Sequence, residues 1–189
     1  MTQDLSPESA KPPVALGCFF AASVVVALFG LIAFAIVFLE SGADSGELRL
    51  SVVDAYAPGS AEFLGEQNLF LVRLPDGSFV ALADMDATNR ASSGARCRVG
   101  LADIADPGLW ISPEVLHARL SPRAAGSTSV LRETCYGAIY DIAGALLAPE
   151  GRNLDQYRVD TSNGVVTVDR SERTCSRRAG ASAFIPIDC

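Results

Sequence analysis

The stretch that decides the fold is residues 133–169, ETCYGAIYDIAGALLAPEGRNLDQYRVDTSNGVVTVD. Near its start, two short apolar runs, Ala138–Ile142 and Ala145–Leu147, stand on either side of Ala143-Gly144. Two β-type runs separated by a glycine-containing pair are typical of a tight hairpin. This half of the stretch therefore predicts one antiparallel strand pair.

The second half of the stretch predicts another hairpin. Tyr157–Asp160 and Val165–Val168 flank Ser162-Asn163-Gly164. Asn-Gly between two alternating runs is the strongest short-range hairpin signal, because both residues tolerate the positive φ of a type I′ turn. Two hairpins in so short a segment indicate antiparallel β structure.

Strand signals continue toward the N-terminus. Leu69–Leu74 and Phe79–Leu82 flank Pro75-Asp76-Gly77, which predicts a third hairpin, and Leu48–Val53 is an alternating run. Several short strands at close spacing favour a small β sandwich or barrel.

One segment breaks this pattern. Ser112, Pro113 and Glu114 read as an N-cap with proline in the first helical turn, and the helix they open runs to about Leu120. The predicted fold class is therefore all-β, a small sandwich or barrel with one short helical insertion.

The N-terminus predicts a membrane anchor. Residues 14–39 are nearly all apolar and carry no charge. As a helix they would be about 39 Å long, against a hydrocarbon core of roughly 30 Å. We expect a single transmembrane helix after a cytoplasmic segment, residues 1–13, and before a tether, residues 40–47. Within the helix, Gly17 and Ala21 form a small-xxx-small pair that could seat a neighbouring helix.

The cysteines indicate the side of the membrane. Cys18 lies in the predicted span, which leaves four, and an even number fits two disulfides in an oxidising compartment. We therefore expect a single-pass protein of the inner (plasma) membrane with its C-terminal domain on the periplasmic or extracellular side. Spacing alone leaves three connectivities open.

Charge and histidine content exclude several classes of function. The net charge of −7 gives no basic patch for nucleic acid. His117 is the only histidine, whereas most zinc, haem and non-haem iron sites need at least one histidine and usually two. No G-x-S-x-G elbow is present for a serine hydrolase. We expect no enzyme activity.

From Leu69 to Asp169 the chain resembles the Rieske iron–sulfur domain family. Cys135-Tyr136-Gly137 is similar to the C-H-G of the family's second cluster loop, Asp141 and Gly144 match the turn that follows, and Leu154–Val159 matches the approach to the last hairpin. The resemblance implies a Rieske-like β domain over residues 48–169 and leaves residues 170–189 as an added tail.

The resemblance also shows what is missing. A Rieske centre needs two cysteines on one iron and two histidines on the other. In the matched positions the first loop has Ser92 and Gly94, and the second has Glu133 and Tyr136. Glycine has no ligand atom and the other three offer hard oxygens, so we expect no [2Fe–2S] cluster and no other cofactor.

The family's remaining cysteine pair is kept. In respiratory members, the last cysteine of the first loop and the second cysteine of the second loop form a disulfide. The resemblance therefore implies a bond between Cys97 and Cys135 and leaves Cys175 and Cys189 as the second pair.

Two segments are additional to the family pattern, and we expect partner contacts there. Residues 98–132 lengthen the connection between the two loops and contain Trp110, the only tryptophan, and His117. The tail opens with four arginines, Arg170, Arg173, Arg177 and Arg178.

Together these features predict a non-catalytic, cluster-free Rieske-like subunit. It would stabilise or organise a bacterial membrane electron-transfer complex, respiratory or photosynthetic, with the lipid bilayer and other subunits as its partners. One alternative is a genuine Rieske electron carrier of a quinol-oxidising complex. Another is a stand-alone envelope protein that binds a ligand with the insertion around Trp110.

Overall fold

The computed structural model describes residues 27–32, 46–86 and 97–189 of the chain. The chain divides into two compact units, residues 1–45 and residues 46–189. In the first unit, residues 27–32 are helical, and the rest of the predicted span, with Gly17 and Ala21, lies outside the described residues. No helix within the described ranges is both long and apolar enough to cross a membrane.

The second unit is built mainly from short strands. In chain order they are β1 (Glu47–Val52), β2 (Ala61–Leu64), β3 (Leu69–Arg73), β4 (Phe79–Ala83), β5 (Val99–Asp103), β6 (Ser129–Glu133), β7 (Ile139–Asp141), β8 (Glu150–Arg152), β9 (Gln156–Asp160), β10 (Val165–Ala179) and β11 (Ser182–Ile187). A single-turn 3-10 helix forms at each of Val53–Ala55, Pro107–Leu109 and Pro122–Ala124, and a short α-helix, the insertion helix, at Pro113–Arg119. The predicted all-β class with a short helical insertion is confirmed.

The strands form two antiparallel sheets. The larger has the order β1-β10-β9-β4-β3-β2, and β8 and β11 pair with the far half of β10. The smaller has the order β5-β6-β7. The three predicted hairpins are present, because β3 pairs with β4, β9 with β10, and Tyr140 bridges to Leu146.

Strand β3 separates two apolar cores. Successive side chains of a strand point to opposite faces. Accordingly Phe70 and Val72 pack into the core that also holds Leu131 of the smaller sheet. Leu69 and Leu71 pack on the opposite face, with β1 and β10 residues. Both faces of β3 are thus buried.

The insertion helix packs on the smaller sheet. Its buried residue is Leu116, which joins a third core together with Val130 and Ile139. The carboxylate of Asp141 accepts the backbone N–H of Ser121, at 2.8 Å, and those of Ala143 and Ala145, at 2.9 Å each. One buried aspartate therefore closes the turn after β7 and anchors the end of the insertion to it.

The C-terminal tail is part of the larger sheet. β10 runs without a break from Val165 to Ala179, across position 170, and turns back into β11. The register shifts between Asp169 and Arg173, where β10 has extra residues relative to β9. The residues that the sequence marks as an added tail thus continue a strand of the domain.

Candidate functional site

The loop from Glu133 to Gly137 lies at the position that the resemblance gives to the second cluster loop. Glu133 ends β6 and is fully buried. Its carboxylate accepts three consecutive backbone N–H groups: those of Cys135 at 2.7 Å, Tyr136 at 2.5 Å and Gly137 at 3.2 Å. Consecutive N–H groups that converge in this way form an anion-binding nest. In this protein the bound anion is a side chain of the chain itself.

The loop is also closed covalently and by backbone pairing. Cys135 is bonded to Cys97, with Cα atoms 5.5 Å apart. Cys97 is buried, whereas Cys135 is exposed. The N–H of Glu133 donates to the carbonyl of Ala138, at 2.8 Å, and Gly137 has a φ of 75°, which favours glycine. The loop is therefore held at both ends and at its centre.

The donor atoms at this loop do not fit an iron–sulfur cluster. A carboxylate oxygen of Glu133 and the Sγ atoms of Cys97 and Cys135 lie within 4.8 Å of one another. The two sulfurs are joined in a disulfide, so neither is the thiolate that binds a metal. The carboxylate oxygens already accept the loop N–H groups, and Tyr136 is 79% exposed. Among residues 46–86 and 97–189, no pair of thiolates faces a pair of imidazoles, as a Rieske centre requires.

Tyr140, on the adjacent strand β7, lies among acidic groups. Its side chain is buried. Burial, together with the negative charges of Asp86 and Glu133, raises the pKa of the Tyr140 hydroxyl. The phenol therefore stays neutral at physiological pH and acts as a hydrogen-bonding group toward Asp86.

Of the predicted site residues in the first loop, Ser92 and Gly94 lie outside the described residues. In the insertion, Trp110 is 84% exposed and has a left-handed backbone, with φ 46°. Asp106 caps the preceding turn by accepting the N–H of Gly108 at 2.8 Å. His117 is exposed on the insertion helix.

The four tail arginines do not form one surface. Arg170 and Arg177 are exposed, and Arg173 lies 3.6 Å from the buried carboxylate of Asp155. Arg178 is buried. Strand alternation explains the difference, because Arg177 and Arg178 are neighbours in β10 and point to opposite faces. Arg178 therefore does not present the surface charge that the sequence suggests.

The second disulfide joins Cys175 of β10 to Cys189 at the chain end, with Cα atoms 5.3 Å apart. The structure thus has the two cysteine pairs that the resemblance implies. Beside it, Asp155 lies between Arg152, at 3.3 Å, and Arg173. This ion-paired group stabilises the junction between β10 and the start of β9.

Sequence reasoning missed the role of Glu133. It identifies the residue as an oxygen donor in place of a cluster cysteine, but not as the acceptor that holds the loop. Local side-chain-to-backbone hydrogen bonds are typical of Ser, Thr, Asn and Asp, so the sequence gives no signal for a glutamate in this role.

Comparisons with known proteins give limited likenesses. No protein-family model matches the chain, and no curated protein matches it in sequence. A crystal structure described as an NADH-dependent nitrite reductase small subunit from Mycobacterium tuberculosis is 21% identical, with a TM-score of 0.34, over 65% of this chain and 92% of that chain. A second, described as the small subunit of a nitrite reductase NADPH oxidoreductase protein, is 17% identical, with a TM-score of 0.34, over 65% of this chain and 96% of that chain.

Proposed function

We propose that this chain is a non-catalytic, cluster-free Rieske-like subunit that stabilises or organises a bacterial membrane electron-transfer complex. The observation that carries the proposal is the carboxylate of Glu133, which accepts three N–H groups of the loop that resembles the second cluster loop. The loop is thus held in one conformation by a side chain of the chain itself, with no need of a bound cluster.

The donor set argues against electron transfer by a cluster at this loop. A cluster there would have to displace the Glu133 carboxylate from its three hydrogen bonds and reduce the bond between Cys97 and Cys135. Even then the iron would meet the phenol of Tyr136 where the family has imidazole. Hard oxygen donors are poor substitutes for thiolate and imidazole at such a centre.

The exposed aromatic residues support a docking role. Tyr136 lies in the loop from Glu133 to Gly137, which we call the braced loop, and Trp110 lies in the insertion; both are more than three-quarters exposed. Tyrosine and tryptophan are enriched among the residues that dominate binding energy at protein interfaces. A rigid loop that presents an aromatic side chain loses little conformational entropy on binding. We assign these two residues to the contact with a partner subunit.

The membrane part of the proposal rests on the sequence. The apolar residues 14–39 would anchor the domain, and the two disulfides favour the periplasmic or extracellular side of the plasma membrane.

Two measurements on the full-length chain, extracted from its native membrane in mild detergent, test the proposal. The first is the content of non-haem iron and acid-labile sulfide, with an EPR spectrum of the reduced sample. We expect neither iron nor sulfide in stoichiometric amount. A Rieske-type signal would instead establish an electron carrier.

The second measurement is co-migration on a native gel with a haem- or pigment-bearing complex. Trp110→Ala and Tyr136→Ala are expected to weaken co-migration. Val52→Ala is the matched control, because Val52 is a half-exposed apolar residue of the larger sheet. A wild-type chain that migrates alone would contradict the subunit role.

A further inference from the structure

A cavity of about 390 Å³ lies apart from the braced loop. The end of the insertion helix, the turn after β7 and the β10–β11 hairpin surround it. The residues that matter for its chemistry are Arg119, Ser121, Leu147, Pro149 and Arg178.

Arg178 brings an uncompensated positive charge to this cavity. Its side chain is 93% buried, since its exposed fraction is 7%. Nη2 donates to the carbonyl of Arg119 at 3.0 Å, while Nε is buried and has no hydrogen-bond partner. Within residues 46–86 and 97–189, no carboxylate forms an ion pair with it. Arg152, by contrast, pairs with Asp155.

A buried charge normally has a partner of opposite sign. Removing a guanidinium from water costs several kcal/mol unless an anion or several acceptors compensate. In the neighbouring strand, Glu150 pairs with Ala179, the residue after Arg178, but Glu150 is exposed and does not line the cavity. The local charge is therefore positive in a chain whose net charge is −7.

Two further donors line the same cavity. Ser121 is 1% exposed, and its Oγ is buried without a hydrogen-bond partner. The backbone N–H of Ser121 donates to Asp141 at 2.8 Å, which fixes the position of the residue. Arg119 stands at the exposed rim and donates from Nη1 to the carbonyl of Leu147 at 3.3 Å. A guanidinium has five N–H donors, so the hydrogen bond to Leu147 uses only part of the donor capacity of Arg119.

The remaining wall is apolar. Leu120, Leu147, Pro122 and Pro149 line the cavity beside the donors. Two guanidinium groups and a hydroxyl are the kinds of donor that bind a carboxylate or a phosphate, and the apolar wall suits a short hydrocarbon or aromatic group. The combination fits an anionic group joined to a small apolar body better than it fits a bare inorganic ion.

We propose that the cavity lined by Arg119, Ser121 and Arg178 is a binding site for a small organic anion, a carboxylate or phosphate ester with a short apolar part. The source of that anion is either a soluble organic acid or the headgroup region of an anionic lipid. The proposal does not depend on the subunit role, because the cavity and the braced loop share no residue.

Isothermal titration of the full-length chain in detergent tests it. The probes are benzoate, phenyl phosphate and inorganic phosphate, with benzyl alcohol as the uncharged control. We expect benzoate or phenyl phosphate to bind at one site per chain and more tightly than inorganic phosphate, and benzyl alcohol not to bind. Short-chain phosphatidylglycerol, compared with phosphatidylcholine, tests the lipid source. If short-chain phosphatidylglycerol is the one probe that binds, the site is assigned to an anionic lipid.

Matched variants locate the site. Arg119→Gln and Ser121→Ala are expected to weaken binding, the first by about ten- to hundred-fold, as the loss of a charge-assisted hydrogen bond implies. Arg177→Gln removes the same charge from the exposed face of β10 and should change affinity less than about two-fold. Arg178→Met should abolish binding, and the two milder variants decide the question if it does not fold.

Three results would overturn the proposal. One is that no anionic probe binds to the wild-type chain at about 10 mM. Another is that Arg177→Gln weakens binding as much as Arg119→Gln does, which would mean a diffuse effect of charge. The third is that benzyl alcohol binds as tightly as benzoate.

Discussion

Replacing Glu133 gives the most direct test of the braced loop. In Glu133→Gln the side chain keeps its shape, but one acceptor oxygen becomes an NH2 group. Backbone N–H groups of the loop approach both carboxylate oxygens of Glu133. Whichever way the new amide turns, its NH2 group therefore faces at least one backbone N–H donor. Hydrogen bonds to charged groups contribute about 1.5–3 kcal/mol each. We expect the free energy of unfolding to fall by about 2 kcal/mol.

Glu133→Ala removes all three bonds and leaves a cavity, yet the cost should be less than three times the cost of one bond. Cys135 and Tyr136 are exposed, so water can reach part of the loop backbone once the carboxylate is gone. We expect a loss of about 3–4 kcal/mol, a large part of the roughly 5–15 kcal/mol by which a domain is stable.

The assay is urea unfolding of the full-length chain in detergent, followed by far-ultraviolet circular dichroism. Glu172→Gln is the control, because its ion pair with Arg158, at 3.0 Å, is more than half exposed on both sides and should contribute little to stability. Equal stabilities of Glu133→Gln and wild type would refute the account of the loop. So would unchanged amide hydrogen exchange at Tyr136 and Gly137 in Glu133→Gln.

Three further predictions concern the same domain. Replacing both Cys97 and Cys135 with serine should lower the free energy of unfolding by about 4 kcal/mol, given the sequence separation of 38 residues. Denaturant titration measures this loss. An unchanged free energy of unfolding would show that the disulfide does not stabilise the domain. The pKa of Tyr140 is raised above the value of about 10 that it has in the unfolded chain, so its contribution to stability is complete below pH 10 and is lost as the pH rises. The urea midpoint of the wild type should therefore fall between about pH 10 and 11.5, and that fall should be smaller in Tyr140→Phe. An equal fall in both proteins would contradict this. Gly144→Ala should lower the melting temperature more than Gly164→Ala, since both have positive φ but only at Gly144 would a Cβ meet the Leu82 side chain, at 2.8 Å; equal melting temperatures would count against that contact.

The hairpins could be predicted because their signals are local. Asn163-Gly164 and Asp76-Gly77 specify turns within a few residues of the strands they join, and those strands form as expected. β5 and β6 were harder to see. They pair across 25 residues of insertion, between Asp103 and Ser129, and no short pattern marks a partner at that distance.

The far half of β10 shows a different obstacle. The alternation of apolar and polar residues that ends at Val168 is interrupted by the polar residues 169–174, so the sequence gives the impression of a solvated tail. The register shift between Asp169 and Arg173 explains the interruption, because β10 has extra residues there that do not pair with β9, and the pairing continues beyond them. The inward direction of Arg178 depends on that shift, and so does the cavity, whose other donors lie about 60 residues away in the chain.

The geometry of the loop also explains why adding one thiol there would not create a cluster site. Glu133→Cys would place a third thiol beside the disulfide, because Glu133 is two residues from Cys135 and its carboxylate now lies within 4.8 Å of both sulfurs. A thiolate so close to a disulfide attacks it, forming a new S–S bond and releasing Cys97 or Cys135 as the thiolate. The loop would form a different disulfide before it could bind iron. The positions at which the resemblance expects the two imidazoles would still hold Gly94 and Tyr136. The bond between Cys97 and Cys135 and the Glu133 carboxylate thus form one structural unit, and its stability opposes metal binding at this loop.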